Sequence, residues 1–309
     1  MALSGRRPPV GLREEPTRGI AYMVAAVALF SVMAVLVKAM GAHYPVGQVM
    51  FFRNAASLPP ALAIMVGTGG IGSFRTRRPM AHVLRAVLGV GAMGAGFSAL
   101  SMMPLVDATA LSFTQPLFLT LLAIPILGER VGLHRGGAVL AGFLGVVVLS
   151  VGQGGFGAAI GLAGLAAALA NAFFSALTAL LVRQLSATES SATITAWQSS
   201  LMTLLTSLLL PFGWIVPTPL DFVLLAGIGL CGGVAQYWMT QAYRFGAASM
   251  VSAFNYSGIV WATLYGALIW NEVPGPSVLA GALIVIGAGL YILQRELVLA
   301  RARRAAKSP

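Results

Sequence analysis

The feature that most restricts this chain is a series of long apolar runs with almost no charge inside them. A helix that crosses a bilayer needs about 20 such residues. By that measure the sequence predicts ten spans, at roughly 19–40, 46–66, 80–101, 106–127, 135–151, 157–182, 192–212, 220–243, 247–270 and 277–294. The connections are short and carry turn signals: Tyr44-Pro45, Gly67 to Gly72, Pro104, Gly152 to Gly155, Pro217 to Pro219 and Pro274 to Pro276. Composition agrees. The 309 residues are 58% hydrophobic and 9% charged, with mean hydropathy +0.88, against about 25% charged in a soluble domain. Such a chain cannot cover a water-facing surface. It reads as an all-α, multi-pass membrane protein embedded in a lipid bilayer.

The charges order the spans. With the N-terminus inside and the ends alternating, all but Lys38 and Arg53 of the 19 Lys and Arg fall on the inner side, in short loops and the two tails. The outer loops have Asp107, Asp221 and Glu272 at their edges. This is the positive-inside pattern, and it predicts an even span count with N- and C-termini cytoplasmic. Residues 1–18, with Pro8, Pro9 and Pro16, read as a disordered cytoplasmic tail, and 297–309 as a basic one. The net charge of +11 does not point to nucleic acid, because no basic stripe with interleaved aromatics exists. The single cysteine, Cys231, excludes a disulfide framework within one chain and a cysteine-cluster metal site.

The two halves resemble each other. Pro79, Val83, Leu84, Ala86, Gly89 and Ala95 lie without a gap on Pro219, Val223, Leu224, Ala226, Gly229 and Ala235. Val139 to Gly142 recurs as Val278 to Gly281, and Phe30-Ser31 followed by Lys38 recurs as Phe174-Ser175 followed by Arg183. Residues 19–152 and 153–296 therefore read as two five-span repeats. Five is odd, so the repeats insert in opposite orientation. Inverted repeats mark secondary transporters whose site lies near the midplane between the halves and whose access alternates.

No phosphate loop, metal-ligand cluster or nucleophile–base arrangement appears, so neither a cofactor nor an enzymatic role is expected. His43, His82 and His134 lie near span ends. Polar residues inside apolar runs carry the functional signal, since an unpaired polar group in hydrocarbon costs several kcal/mol. The densest stretch is Gly229 to Tyr243. On a helix, Gln236, Tyr237, Thr240, Gln241 and Tyr243 occupy an arc of roughly 160°. Asn171 and Ser175 share a face of the sixth span. Gln115 lies beside Pro116 in the fourth, Asn255 and Tyr256 lie in the ninth, and Trp197 lies in the seventh. Arg53 sits about 10 Å inside the second span at 1.5 Å per residue. It suits either a substrate carboxylate or a structural pairing between helices. Lys38, at the outer end of the first span, either snorkels or pairs with Glu272 or Asp107. A path lined by Gln236, Tyr237, Gln241, Asn171, Ser175, Asn255, Tyr256 and Gln115, with Trp197 and Arg53 at its margins, suits a small zwitterion or a partly apolar molecule. A dianion would call for convergent Lys or Arg.

The segment Asp107 to Phe118, running on to Leu127-Gly128-Glu129-Arg130, and its second copy Ala247 to Tyr256, running on to Trp270-Asn271-Glu272-Val273-Pro274, resemble the drug/metabolite transporter superfamily, EamA-type exporters. The likeness covers about residues 19–294 and is greatest for the bacterial aromatic amino-acid exporter branch. It implies a basket of ten helices around a central cavity. Spans three, four, eight and nine, with one and six, would line it, and five and ten would lie outside. It also implies export of amino acids or related metabolites across a bacterial inner membrane. The small multidrug members use a glutamate in their first span; here Ala25 to Ala28 occupy that place. The alternatives are an exporter of lipophilic drugs or dyes in the same fold and, further off, a lipid-modifying membrane enzyme. Oligomeric state is not readable from the sequence.

Overall fold

The computed structural model describes residues 16–69, 75–127, 133–151, 159–185, 188–189, 191–245 and 254–305. These residues form eleven α-helices and no strand. The first six are α1 (Pro16–Gly41), α2 (Val46–Gly69), α3 (Pro79–Met102), α4 (Leu105–Ser112), α5 (Gln115–Leu127) and α6 (Leu133–Val151). The other five are α7 (Ala159–Leu185), α8 (Ser191–Ser207), α9 (Pro219–Phe245), α10 (Gly258–Trp270) and α11 (Pro276–Ala305). Short 3₁₀ turns occur at Leu210–Phe212 and Phe254–Ser257. Proline sets several starts: α1, α3, α9 and α11 each begin on one. Its fixed φ suits the first turn, where its missing N–H would have no partner anyway.

Six described stretches are long and apolar enough to cross a bilayer: Thr17–Gly41, Pro79–Met102, Leu105–Ile126, Gly161–Val182, Pro219–Met239 and Pro276–Arg295. Gly136–Leu149 is a shorter apolar helix. Several expected spans differ in detail. The fourth is broken at Phe113-Thr114 into α4 and α5, because Pro116 has no N–H to return to Ser112. The ninth reaches α10 through the Phe254–Ser257 turn, and its expected start at 247–253 lies outside the described residues. α11 runs on as helix to Ala305, where a tail had been expected from 297. The 1–15 part of the expected N-terminal tail lies outside the described residues.

Packing pairs the helices across the sequence. α1 packs along α9, and α3 packs along α7; α2 lies against α9, and α8 against α3. α2 meets α8, α6 meets α11, and α4 meets α10. Small residues permit the closest approaches. At α6–α11, a Cβ on Gly145 would stand 2.9 Å from the Gly281 carbonyl oxygen, so these two backbones touch. The largest buried cluster joins Leu105, Val106 and Leu111 of α4 to Val146 and Leu149 of α6, Leu165 of α7 and Val285 of α11. A second cluster joins Val37, Met50, Phe97, Leu225 and Ile228 across α1, α2, α3 and α9.

Candidate functional site

The two interrupted spans meet. The α4–α5 break and the turn that leads into α10 border a cavity of about 490 Å³, within the size range of small-molecule sites. α1 contributes Phe30, Ser31 and Ala34 to its wall, and α7 contributes Asn171. The α4–α5 break adds Thr109, Ser112, Phe113, Gln115 and Thr120; Asn255 and Tyr256 come from the 3₁₀ turn; Gly289 and Ile292 come from α11. A smaller cavity of about 210 Å³ runs on toward α3 and shares Ala34, Thr109, Ser112 and Asn171 with the first. Among the described residues, no Asp, Glu, Lys, Arg or His lines either one.

The polar groups in this wall divide by how their hydrogen bonds are spent. The hydroxyls of Ser31, Thr109 and Thr120 each donate to the carbonyl four residues back in their own helix, at 2.9, 2.7 and 2.9 Å. Their oxygens are left as acceptors. Asn171 donates from Nδ2 to the Ala92 carbonyl at 2.7 Å, which fixes its amide on α3. It sits where Gly96 has no side chain: a Cβ there would be 2.7 Å from Asn171 Nδ2. Gln115 and Asn255 spend no side-chain hydrogen bond on the described residues, so their amides are open to a ligand. The Tyr256 ring packs edge-on against Phe113, with centroids 4.9 Å apart. Its phenol lies directly on the bare backbone of Gly289, with no room for a Cβ.

An ion pair adjoins the cavity at the end of α1. Lys38 Nζ, at the end of α1, lies 2.5 Å from Glu272 Oε1 and also donates to the Met103 carbonyl at 3.0 Å. Glu272 Oε2 accepts the Leu105 N–H at 3.0 Å, and the ammonium stands 5.0 Å from the Trp270 ring centroid. The α10 C-terminus aims the carboxylate. Asn271 takes the left-handed conformation, with φ 56°, and the Glu272 N–H returns to the Gly266 carbonyl at 3.0 Å. The side chains of Lys38 and Glu272 are only 11% and 22% exposed. Between the two partners named for Lys38, the structure selects Glu272; Asp107 is buried in the first turn of α4.

From the expected set, Gln115, Asn171, Asn255 and Tyr256 come together in the cavity wall. Six others lie outside both linings. Ser175 is one turn further along α7. Arg53 donates to the Asn54 side-chain oxygen at 3.1 Å and runs past Gly232 of α9. Trp197 stacks on His82, with centroids 5.4 Å apart. Gln236 is exposed, and Gln241 donates to the Tyr237 hydroxyl at 2.7 Å on a face where Tyr237 is 43% exposed. The lining also differs from the expected basket, since α11, the tenth span, contributes wall residues and α9, the eighth, does not. Phe30, Ser31, Phe113 and Gly289 were not among the wall residues expected from the sequence. Of these, Ser31 had a visible signal in the Phe-Ser pair that recurs at Phe174-Ser175.

An all-helical, membrane-suited chain with an uncharged cavity between two broken helices is the architecture of a solute carrier. The comparisons agree, and the chain belongs to the EamA-like transporter family, which matches residues 17–151 and 162–294. It is similar to the riboflavin transporter of Rhizobium johnstonii, 34% identical over 205 residues, which is 66% of each chain. It is 30% identical over 197 residues to the pseudopaline exporter CntI of Pseudomonas aeruginosa, covering 62% of this chain and 67% of that one. An S-adenosylmethionine uptake transporter of Rickettsia prowazekii is 29% identical over 64% of this chain and 66% of its own. The chain thus spans about two thirds of the length of these relatives. A crystal structure of a protein 19% identical in sequence superposes with TM-score 0.63, over 90% of this chain and 98% of that one, a likeness of fold.

Proposed function

We propose that the chain is a ten-span secondary transporter of the bacterial inner membrane. In this reading 19–152 and 153–296 are inverted repeats, both termini are cytoplasmic, and a small metabolite without net charge moves through the central cavity by alternating access. The observation that carries it is the cavity itself. It is large enough for a metabolite, contains two carboxamides with hydrogen bonds unspent on the described residues, is flanked by Phe30, Phe113 and Tyr256, and has no charged residue among the described ones that line it. An ionic substrate would meet no counter-charge there, at high cost in a dry site. The exchange of packing partners supports the repeat: what α1 does with α9, α3 does with α7.

Within that class a flat heteroaromatic ring with amide-like edges suits the wall best. The rings offer faces, and Gln115 and Asn255 each offer a donor and an acceptor. Riboflavin is therefore the first compound to test, given the relative named for it. Amino-acid export, which the sequence resemblance implies, is the second reading. The free hydroxyl oxygens of Ser31 and Thr109 favour it, since they could receive an ammonium group. Purified protein is reconstituted into liposomes and assayed for counterflow of riboflavin and of aromatic and small neutral amino acids. Saturable counterflow of one of them, lost in Gln115→Leu/Asn255→Leu, is the expected result. Absence of flux for all of them, with no ligand raising Tm, would overturn the uncharged-metabolite reading, because a bound ligand stabilises by RT ln(1 + [L]/Kd).

A further inference from the structure

We propose that Lys38 and Glu272 form the gate that closes one end of the transport path, and that breaking this pair is the event that opens the cavity there. The inference rests on reading the cavity as that path. Three observations place the pair across it. First, Ala34, one turn before Lys38 on α1, and Leu105, whose N–H bonds Glu272, both line the main cavity, as does Ala262, about two turns before the end of α10. The pair is the next layer outward. Second, it bonds across the halves: Lys38, Met103 and Leu105 belong to the first matched segment, and Glu272 to the second. Third, the carboxylate bonds to two segment ends, the last turn of α1 and the start of α4, and itself stands on the left-handed hook after α10. Segment ends can separate without breaking a helix.

The chemistry suits a reversible latch. A shielded ammonium–carboxylate pair holds well while closed, and each group can be rehydrated once the end admits water. An apolar plug of the same size would have no such second stable state. Two other clasps lack this position. Tyr44 donates to Asp221 at 2.7 Å, and Gln48 exchanges bonds with the Ile215 backbone at 2.7 and 3.0 Å. The first joins the loop before α2 to the first turn of α9, the second joins α2 to the loop before α9, and none of these residues lines a described cavity. By sequence register Glu129 stands where Glu272 stands; it lies outside the described residues.

The test is a side-specific labelling experiment that needs no substrate. In a Cys231→Ala background, Ala34→Cys is exposed in intact cells to a membrane-impermeant maleimide. With Lys38 and Glu272 in place, labelling is slow. Lys38→Met or Glu272→Gln is expected to speed it by about tenfold, by shifting the population toward the open end. Lys38→Arg, which keeps a cation that can reach both Glu272 and the Met103 carbonyl, is expected to remain slow. Wild-type rates in Lys38→Met would overturn the gate. Fast labelling of Lys38→Arg would overturn the charge pairing as its basis. Should Glu272→Gln fail to fold, judged by its elution profile, the Lys38→Met and Lys38→Arg pair decides alone. Because labelling is read without transport, a wrong substrate class fails in the flux assay and leaves this result standing.

Discussion

α3 and α9 are the same helix in sequence register and different helices in their surroundings. Gly96, Phe97 and Ser101 of α3 stand where Gln236, Tyr237 and Gln241 stand in α9. Phe97 is 7% exposed and packs with Val37 of α1 and Met50 of α2. Tyr237, its counterpart, is 43% exposed. The cause is the neighbour. α1 closes on α3, with Gly41 so near Ser101 that a Cβ would not fit, whereas α7 and α9 have no comparable interface among the described residues. On the proposed repeat, α7 and α9 are the counterparts of α1 and α3. Among the described residues the helices are thus drawn together near Lys38 and Glu272 and stand apart near Tyr237 and Gln241. The polar face of α9 belongs to the open end. Its amide–phenol hydrogen bond satisfies groups that have no helix to pair with.

The sharpest way to break this comparison is to fill the same register position in both helices. Gly96→Val drives a side chain into Asn171, displaces its bond to Ala92 and intrudes on the smaller cavity. Transport is expected to fall by about 100-fold, an effect equivalent to roughly 2.7 kcal/mol. Gln236→Val, at an exposed position of α9 outside both described cavity linings, should change flux by no more than about threefold. Equal losses would mean that the two helices face the path alike. At the cavity wall, Gly289→Ala forces the Tyr256 phenol off its seat and should cost about tenfold in flux. Tyr256→Phe removes the colliding oxygen, so the double variant should recover most of that loss; additive losses would show that Gly289 matters for another reason.

Exposure itself can be measured. With Cys231 replaced by Ala, Tyr237→Cys should react with a hydrophilic maleimide at least about tenfold faster than Phe97→Cys in permeabilised membranes, since thiol reaction follows access and thiolate fraction. Similar rates would remove the asymmetry between the two ends. Conditions that open the Lys38 end should narrow the ratio.

Much of the architecture could be read in the residues. Apolar runs located the helices because hydrocarbon accepts little else; Pro219 and Pro276, read as turn residues, stand at two helix starts, while Pro16, read as part of a tail, opens α1. Within the site, Gln115, Asn171, Asn255 and Tyr256 were conspicuous because each interrupts an apolar run, and all but Asn171 lie at a helix break. The rest depended on heights and partners that local sequence does not encode. Asn171 and Ser175 lie on one face of α7, but only the level of Asn171 meets the cavity. Gly289 shows no chemistry until the Tyr256 phenol is found resting on it. The polarity of α9 was legible as a face that avoids lipid, while its position away from the described cavities follows from how far α7 stands from α9.

The smallest expected effects come from the clasps beside α2 and α8, and they separate what moves from what does not. At the end where Tyr237 lies open, Glu189 accepts from the Thr76 hydroxyl at 2.7 Å and from the Arg77 N–H at 3.1 Å. The Thr76 hydrogen bond, ahead of the other contacts, holds its carboxyl below the usual range. At the opposite end the hydrogen bond from Tyr44 to Asp221, with burial, raises the Tyr44 phenol above its ordinary value. Both ends of this flank are clasped at once, and neither clasp lines a described cavity, so this flank lies apart from the proposed gate. The signs of the two shifts give opposite pH limits. The Glu189 contribution is full above the ordinary carboxylate pKa and disappears as pH falls through the depressed value. The Tyr44 contribution is full below the ordinary phenol pKa and disappears as pH rises through the raised one. Thr76→Val should therefore lower Tm by no more than about 2 °C at neutral pH and by nothing in acid, and Tyr44→Phe should show the same loss at neutral pH and none in alkali. Both should leave the labelling of Ala34→Cys unchanged. A clasp variant that accelerated it would tie this flank to the Lys38–Glu272 gate and break the separation.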